Sequence, residues 1–491
     1  MELSGAFDTI AVDLRGGASI LWVALFGVIV LVWDIFRNDA RQIPWISGIA
    51  VLIALGYELI KVGDPSSVVF FSLIQTGGAA SFISMIILMS ALGSILLCVP
   101  YLKAIERSYG EIYALILFAT SGMLMLGTAK NMVTVFVGLE TMSIALYILT
   151  GVVRSDEGAL ESALKYFLLG AFSTGFFLYG IALIYGATGT MYFSEFAAGY
   201  SISDLRPLFW VGVGLFLVGF MFKVAAVPFH MWAPDVYQGA PTPLTGFMAT
   251  ASKAAAFAAL ILVLYHGIGA LEFGGANWQL ALSMIALVTV VIGNILALTQ
   301  ENVKRMLAYS SIAHAGYILI ALAAGTSEAY AGAVYYLLIY TLMNIGAFGA
   351  ISLLEWDGKE GRSQTLDSLS GIGFKRPLIG VAMAIFMFSL TGFPPLGGFF
   401  GKLAVFAPAV NAGLTWLALI GIAASVFSGY YYLRVLYVFW MKPASEADPI
   451  VQSSSFSIPY SSSIVLVTCA ILLLGIGLIP GIRDLTLSFF I

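Results

Sequence analysis

Runs of about twenty apolar residues follow one another from one end of this chain to the other, and they leave few folds open. Each run can cross a hydrocarbon layer of about 30 Å as a helix. Inside such a layer every backbone N–H and C=O must find its partner within the protein, which favours helices. The 491 residues are 60% hydrophobic and 10% charged, whereas a soluble domain carries about 25% charged residues. The chain is therefore expected to be an all-α polytopic membrane protein. Its net charge of −4 and its embedded character argue against a nucleic-acid partner. The opening stretch MELSGAFDTIAVDLRGG is acidic, with a single Arg15, so it reads as part of the mature chain rather than a secretory leader. Cys98 and Cys469 both fall in apolar spans, where packing is their expected role.

Hydropathy and polar punctuation place spans near 17–36, 44–61, 82–102, 111–128, 131–152, 161–187, 207–238, 242–267, 278–299, 303–324, 329–354, 376–409, 413–440 and 461–480. The seventh and twelfth are too long and too interrupted to be simple rods. Pro228 breaks the seventh, and Pro394 and Pro395 break the twelfth. Calling the side reached after the first span "inside", the inside segments hold Arg37, Arg41, Lys103, Arg107, Arg154, Lys304, Arg305, Lys359, Arg362, Lys375, Arg376 and Lys442. The outside segments hold Arg15, Lys61, Lys130, Arg206 and Arg483. Twelve basic residues against five predict that both termini lie outside.

An internal repeat runs through the middle of the chain. ALYILTG at 145–151 matches AGYILIA at 315–321, and YFLLGAF at 166–172 matches YYLLIYT at 335–341. These offsets of about 170 residues correspond to five spans, and the proline breaks follow the same spacing. An odd number of spans per unit turns the second copy upside down, the architecture of many transporters. The expected division is 1–108 for three N-terminal spans, 109–270 and 271–442 for the two inverted five-helix units, and 443–491 for a loop and a last helix.

A lysine near a helix centre costs roughly 2.5–3.5 kcal/mol to insert. A chain that keeps several must pair them, let them reach water, or use them. Glu140 lies midway along NMVTVFVGLETMSIALYIL, and Lys223 sits just before the break at Pro228. Lys253 is about eleven residues into PLTGFMATASKAAAFAALILVL, and Lys402 follows the interruption in TGFPPLGGFFGKL. Burial disfavours an ammonium and a nearby carboxylate favours it, so a lysine between those influences can take up and release a proton. Glu140, Lys223, Lys253 and Lys402 are accordingly the expected proton relay. Broken helices admit the water that such a path needs.

Other readings stand beside this one. Glu140 and Lys223 could form a structural clamp between two helices, and Lys402 could snorkel to the interface. His314, deep in AYSSIAHAGYILI, is a candidate relay group between Lys253 and Lys402, or a core histidine satisfied by a serine or backbone group. His230, just past the seventh-span break, and Lys165, near an inside end, are further relay candidates. His230 could instead cap a helix, while Lys165, Arg434 and His266 read as interfacial. GGFFGKL ends like a phosphate loop, but Leu396 and Leu403 occupy positions that need Gly and Ser or Thr. No GxGxxG after a strand, cysteine cluster or HExxH is present, so no metal, nucleotide or redox group is expected on this chain.

KVAAVPFHMWAPDVYQGAPTPLTGFMATASKAAAF (223–257), GLETMS (138–143) and TGFPPLGGFFGKL (391–403) resemble the antiporter-like proton-channel subunits of respiratory complex I, NADH:quinone oxidoreductase. The resemblance covers about residues 100–440 and is nearest to the subunit N branch, equivalent to mitochondrial and chloroplast subunit 2. Lysine at 402 disfavours the subunit M branch, and no long lateral helix follows the last span as in subunit L. The resemblance implies that Glu140 tunes Lys223, that Lys253 is the central lysine, and that Lys402 faces the exit. It also implies a bacterial inner (cytoplasmic) membrane with periplasmic termini, and contacts with membrane lipids, subunit M and small subunits K and J. NADH, FMN, iron–sulfur clusters and quinone would belong to partner subunits. The alternatives are a large subunit of a multi-subunit cation/proton antiporter and a passive membrane-arm scaffold.

Overall fold

In the computed structural model, residues 13–36, 40–107, 109–271, 278–355, 364–443, 458–479 and 481–490 are described. Arg37, Lys359, Arg362 and both chain ends lie outside them. Thirteen of the described helices are long and apolar enough to cross a membrane. Apart from two short helices of seven and four residues (Phe196–Ile202 and Ile372–Lys375), the described α-helices in chain order are α1 (Ala18–Phe36), α2 (Ile43–Lys61), α3 (Gly78–Ala104), α4 (Gly110–Gly127), α5 (Met132–Thr150), α6 (Glu157–Thr188), α7 (Arg206–Lys223), α8 (Trp232–Gly239) and α9 (Thr242–His266). They continue with α10 (Trp278–Leu298), α11 (Val303–Ala324), α12 (Ser327–Leu354), α13 (Pro377–Thr391), α14 (Gly397–Asn411), α15 (Thr415–Trp440), α16 (Tyr460–Leu478) and α17 (Gly481–Ser488). The expected span 376–409 is thus two fifteen-residue half-helices, α13 and α14. A small hairpin, β1 (Ser67–Val69) with β2 (Ile74–Thr76), closes the outside turn after α2.

Burial sorts the helices into layers. The crossing segments of α9, α11 and α12 are almost wholly enclosed, while α1 and α6 keep most of their surface outward. Outward positions on α6 such as Leu164, Leu168 and Phe172 are apolar, as a hydrocarbon surround requires. The enclosed helices carry the small residues that let backbones approach. On α9 these are Ala251, Ala254, Ala255 and Ala256, all fully buried. Cys98 and Cys469 are free and buried, as expected of packing residues.

Local capping chemistry recurs at the same spacing as the sequence repeat. The Asn131 side chain accepts from Thr134 N at the start of α5, and Asn302 accepts from Arg305 N at the start of α11. Asp156 caps α6, and Thr326 caps α12. Each capping asparagine is also bridged to a distant strand-like residue, Tyr192 in one case and Thr365 in the other. The flanking bonds repeat as well. Met132 N donates to Met191 O at 3.0 Å, and Val303 N donates to Gln364 O at 3.0 Å. Phe193 N donates to Lys130 O, and Leu366 N donates to Glu301 O. A short asparagine cap thus satisfies the orphan N–H groups of two helices in one pattern.

Two interruptions shape the interior. After Lys223 the chain leaves the helix over Val224–Met231 before α8 begins, and Ala225 takes φ 58. The freed groups are met locally: Val227 N donates to Thr289 Oγ1 at 3.0 Å and Trp232 Nε1 to Phe222 O at 2.9 Å. Between α13 and α14 the chain turns at Gly392, whose φ of 87 suits glycine. A Cβ there would also lie 2.9 Å from Lys402 Cδ.

Candidate functional site

Lys223, Lys253 and Lys402 are all enclosed, at 4%, 2% and 7% exposed. Each is held by a different kind of neighbour, and none makes a direct ion pair among the described residues. Lys223 ends α7 inside an aromatic box. Its Nζ lies 5.2 Å from the Tyr147 ring centre, 5.4 Å from that of Tyr166 and 5.5 Å from that of Phe222. Its one hydrogen bond, to Tyr147 Oη, is long at 3.4 Å. Desolvated cation–π contacts of this kind contribute roughly 2 kcal/mol or more, comparable with the insertion cost of the charge. Trp232 stacks on Tyr166 at 4.5 Å between ring centres, so α8, beyond the break, keeps the box in place.

Glu140 is half-buried on α5 and accepts from Thr174 Oγ1 of α6 at 2.7 Å. No ion pair joins Glu140 to Lys223 among the described residues, so the clamp alternative has no direct contact behind it. The carboxylate sits on the outer side of the bundle, beside residues as exposed as Val137 and Ile144, while the ammonium points into it. A clamp would have required both side chains on one helix–helix seam; instead Tyr147 lies against the lysine.

Lys253 follows a π-turn, Met248–Ser252, that widens α9 by one residue immediately before it. Such turns are common at functional positions because they redirect a side chain. Lys253 Nζ donates to Ser311 O at 2.7 Å and to Ser311 Oγ at 2.6 Å. Tyr340 Oη donates to the same Ser311 Oγ at 2.7 Å. His314, one turn farther along α11, bonds through Nδ1 to Tyr336 Oη at 2.6 Å and through Nε2 to Tyr432 Oη at 2.9 Å. Tyr432 Oη also meets Ser310 Oγ in a short contact. His314 is therefore neither held by the backbone nor isolated; it bridges tyrosines of α12 and α15.

Lys402 lies across the second interruption. Its Nζ donates to Leu390 O and Thr391 O, each at 2.8 Å, and to Ser425 Oγ at 2.6 Å. The two carbonyls are the orphaned last-turn acceptors of α13, at the negative end of its dipole. Three bonds of roughly 1.5–3 kcal/mol each outweigh the cost of placing the lysine there. Snorkelling is excluded, because the side chain bends back over the break. Tyr317 stands between Lys402 and His314, with its ring centre 5.5 Å from Lys402 Nζ and 5.3 Å from the imidazole.

The remaining candidates fall elsewhere. Lys165 is 44% exposed and bonds Glu161 and Asp235, and Asp235 also binds Arg305 at 2.6 Å. These groups line an open cavity of about 650 Å³ at the inside face. Lys165 thus belongs to the surface and not to the mid-membrane set, because α6, 32 residues long, runs on to the inside surface at that end. His230 lies in the first interruption, half-buried. Pro228 is within the same interruption, and Pro394 and Pro395 are within the second. Among the described residues no group of three His, Cys, Asp or Glu side chains could hold a metal ion.

Sequence reasoning missed Tyr147, Ser311, Tyr340, Tyr432 and Ser425, the partners that join the charged groups. It also took Lys304 for a loop charge. Lys304 is 2% exposed, donates to Ala240 O at 2.7 Å and lies 3.7 Å from Glu355.

The family described as "NADH:quinone oxidoreductase/Mrp antiporter, TM" matches residues 129–428, which contain every charged site above. The chain is 58% identical to NADH-quinone oxidoreductase subunit N of Salinibacter ruber, over 100% of this chain and 98% of that one. It is 42% identical to the subunit N of Trichlorobacter lovleyi, over 98% and 96%. Among solved structures it resembles a chain of respiratory complex I from Thermus thermophilus with bound Aureothin, at TM-score 0.80 and 35% identity, covering 94% of this chain and 97% of that one. It shares the fold of a chain in the Mrp complex of a Dietzia species, at TM-score 0.83 and 21% identity, over 97% and 96%. The chain belongs to the antiporter-like membrane-subunit family of NADH:quinone oxidoreductase, in its subunit N branch.

Proposed function

We propose that this chain is a proton-translocating membrane subunit of NADH:quinone oxidoreductase, in which Glu140, Lys223, Lys253 and Lys402 carry a proton across the middle of the bilayer. The observation that carries this reading is that three enclosed lysines are held by rings, hydroxyls and carbonyls instead of carboxylates. A lysine locked to a carboxylate resists losing its proton, whereas one held by neutral groups exchanges it at lower cost. His314 joins the relay between Lys253 and Lys402, through Tyr336, Tyr432 and Tyr317. Glu140 acts on Lys223 through space, and its outward position lets an adjoining subunit influence it. Redox groups and quinone are read as belonging to partner subunits.

The two units 109–270 and 271–442 are read as inverted repeats. The recurring asparagine caps support this: Asn131 lies at the outside end of α5 and Asn302 at the inside end of α11. The expected setting is the bacterial inner membrane with periplasmic termini, with subunits M, K and J as neighbours.

A passive scaffold would have no use for three enclosed ammonium groups. A cation/proton antiporter subunit shares the fold, and assay of the assembled chain distinguishes it. Lys223→Ala should depress NADH-driven proton pumping and coupled turnover while leaving the complex assembled. Normal pumping by the assembled variant would remove Lys223 from the relay, and sodium/proton exchange without NADH:quinone activity would favour the antiporter.

A further inference from the structure

The relay begins and ends inside the bundle, so its protons need a path from the inside face, and one helix face carries the polar groups for it. At 3.6 residues per turn, Tyr340, Thr341, Asn344, Phe348 and Glu355 fall within a sector of about 100° around α12 and its C-terminal residue. That sector faces α9, because a Cβ on Gly246 would lie 3.2 Å from Phe348 Cβ. Tyr340, at its deep end, bonds the serine that holds Lys253. Glu355, at its inside end, accepts from Thr242 Oγ1 at 2.5 Å and lies beside buried Lys304.

Between these ends the groups are not saturated. Thr341 is 2% exposed and Asn344 is fully buried, yet Thr341 Oγ1 and Asn344 Oδ1 have no hydrogen-bond partner in the protein, and Glu355 Oε1 has only the 3.7 Å ion pair with Lys304 Nζ. An orphaned buried acceptor costs about 1–3 kcal/mol, and proteins meet such groups with ordered water. Two of them on one helix face, between an ion-paired glutamate and a lysine, are not accounted for by packing. Lys304 ties this face to the start of α9 through its bond to Ala240 O.

We propose that Glu355, positioned by Lys304 and Thr242, is the inside mouth of a hydrated path that runs along α12 past Asn344 and Thr341 to Ser311 and Lys253. Water bridges the orphaned acceptors, and protons move along it without any covalent step. Phe348, packed on Gly246 and 6.2 Å from the Tyr237 ring, separates Glu355 from Asn344, so the path is interrupted here and opens when that ring swings aside. This inference rests on the relay role given to Lys253 above.

Accessibility tests the path without relying on pumping. Asn344→Cys, in a Cys98→Ala, Cys469→Ala background of the assembled complex, is exposed to silver ion or a small methanethiosulfonate, from the inside face of vesicles and separately from the outside face. Modification of position 344 from the inside face is expected, with Ser155→Cys as the inside-surface control and Thr341→Cys as a second probe. Failure of both deep positions to react, while Ser155→Cys reacts, overturns the path. In parallel, Glu355→Gln should lower NADH-driven proton uptake about tenfold at unchanged assembly, with Glu355→Asp restoring part of it. A role confined to packing would instead lower the amount of assembled complex and leave uptake per complex unchanged. If Lys253→Ala pumps normally, the relay reading itself fails. If Lys253→Ala is inactive while Glu355→Gln pumps at the wild-type rate, only the path proposed here fails.

Discussion

The surroundings of Lys223 and of Lys402 differ in what they are made of. Lys223 sits among three rings with one long bond to a hydroxyl. Lys402 has three short bonds to oxygen, in a region crossed by Tyr317, His314, Tyr336 and Tyr432. Rings stabilise a cation but do not pass a proton on, whereas hydroxyls and imidazoles donate and accept. In the proposed relay the first half would therefore depend on water reaching Lys223 through the interruption at Val224–Met231. The second half carries its hydroxyl groups in place.

The largest effect should come from Lys402. Lys402→Ala strands the Leu390 and Thr391 carbonyls, and Lys402→Arg keeps a charge that cannot be given up. Both should cut NADH-driven proton uptake by about 10²-fold or more. Uptake near wild type in the arginine variant would show that only the charge is needed. Next, Tyr432→Phe removes the oxygen that joins Ser310 to His314 while keeping the ring, and should lower uptake about tenfold. Tyr147→Phe, the corresponding change beside Lys223, should cost only about two- to threefold, because water substitutes for a single weak bond. Equal losses from the two tyrosine changes would erase the contrast between the halves. The smallest effect is expected from Lys165→Ala, which breaks a half-exposed pair worth about 0–1 kcal/mol and should leave pumping unchanged.

The helices and the charged centres were legible in the sequence for one physical reason. Placing a lysine in an apolar span is costly, so Lys223, Lys253 and Lys402 stand out against their neighbours, and proline marks where the helices of Lys223 and Lys402 are interrupted. The partners carried no such mark. Tyrosine is a common core filler, and this chain has 23, so nothing distinguishes Tyr432, which bonds His314, from Tyr335, which is simply buried. Lys304 read as an inside charge because it adjoins Arg305. Which of the two turns inward depends on how α11 is rotated against Ala240 and Glu355, groups about fifty to sixty residues away in the chain. The π-turn ahead of Lys253 is likewise a product of packing around α9. Which way Glu140 and Lys223 point was not legible either, because both lie at mid-membrane depth, and depth says nothing about the direction of a side chain.

In the proposed relay Lys253 joins the two halves, since its amine bonds Ser311 at the edge of the tyrosine network. The most direct measurement is NADH-driven proton uptake into inside-out vesicles by the assembled complex carrying Lys253→Met, which keeps the length and apolar stem of the side chain without its amine. The account predicts a loss of uptake of about 10²-fold with the complex present in normal amount. Uptake at the wild-type rate would contradict it, because a proton would then be crossing this chain without the one group that connects its halves.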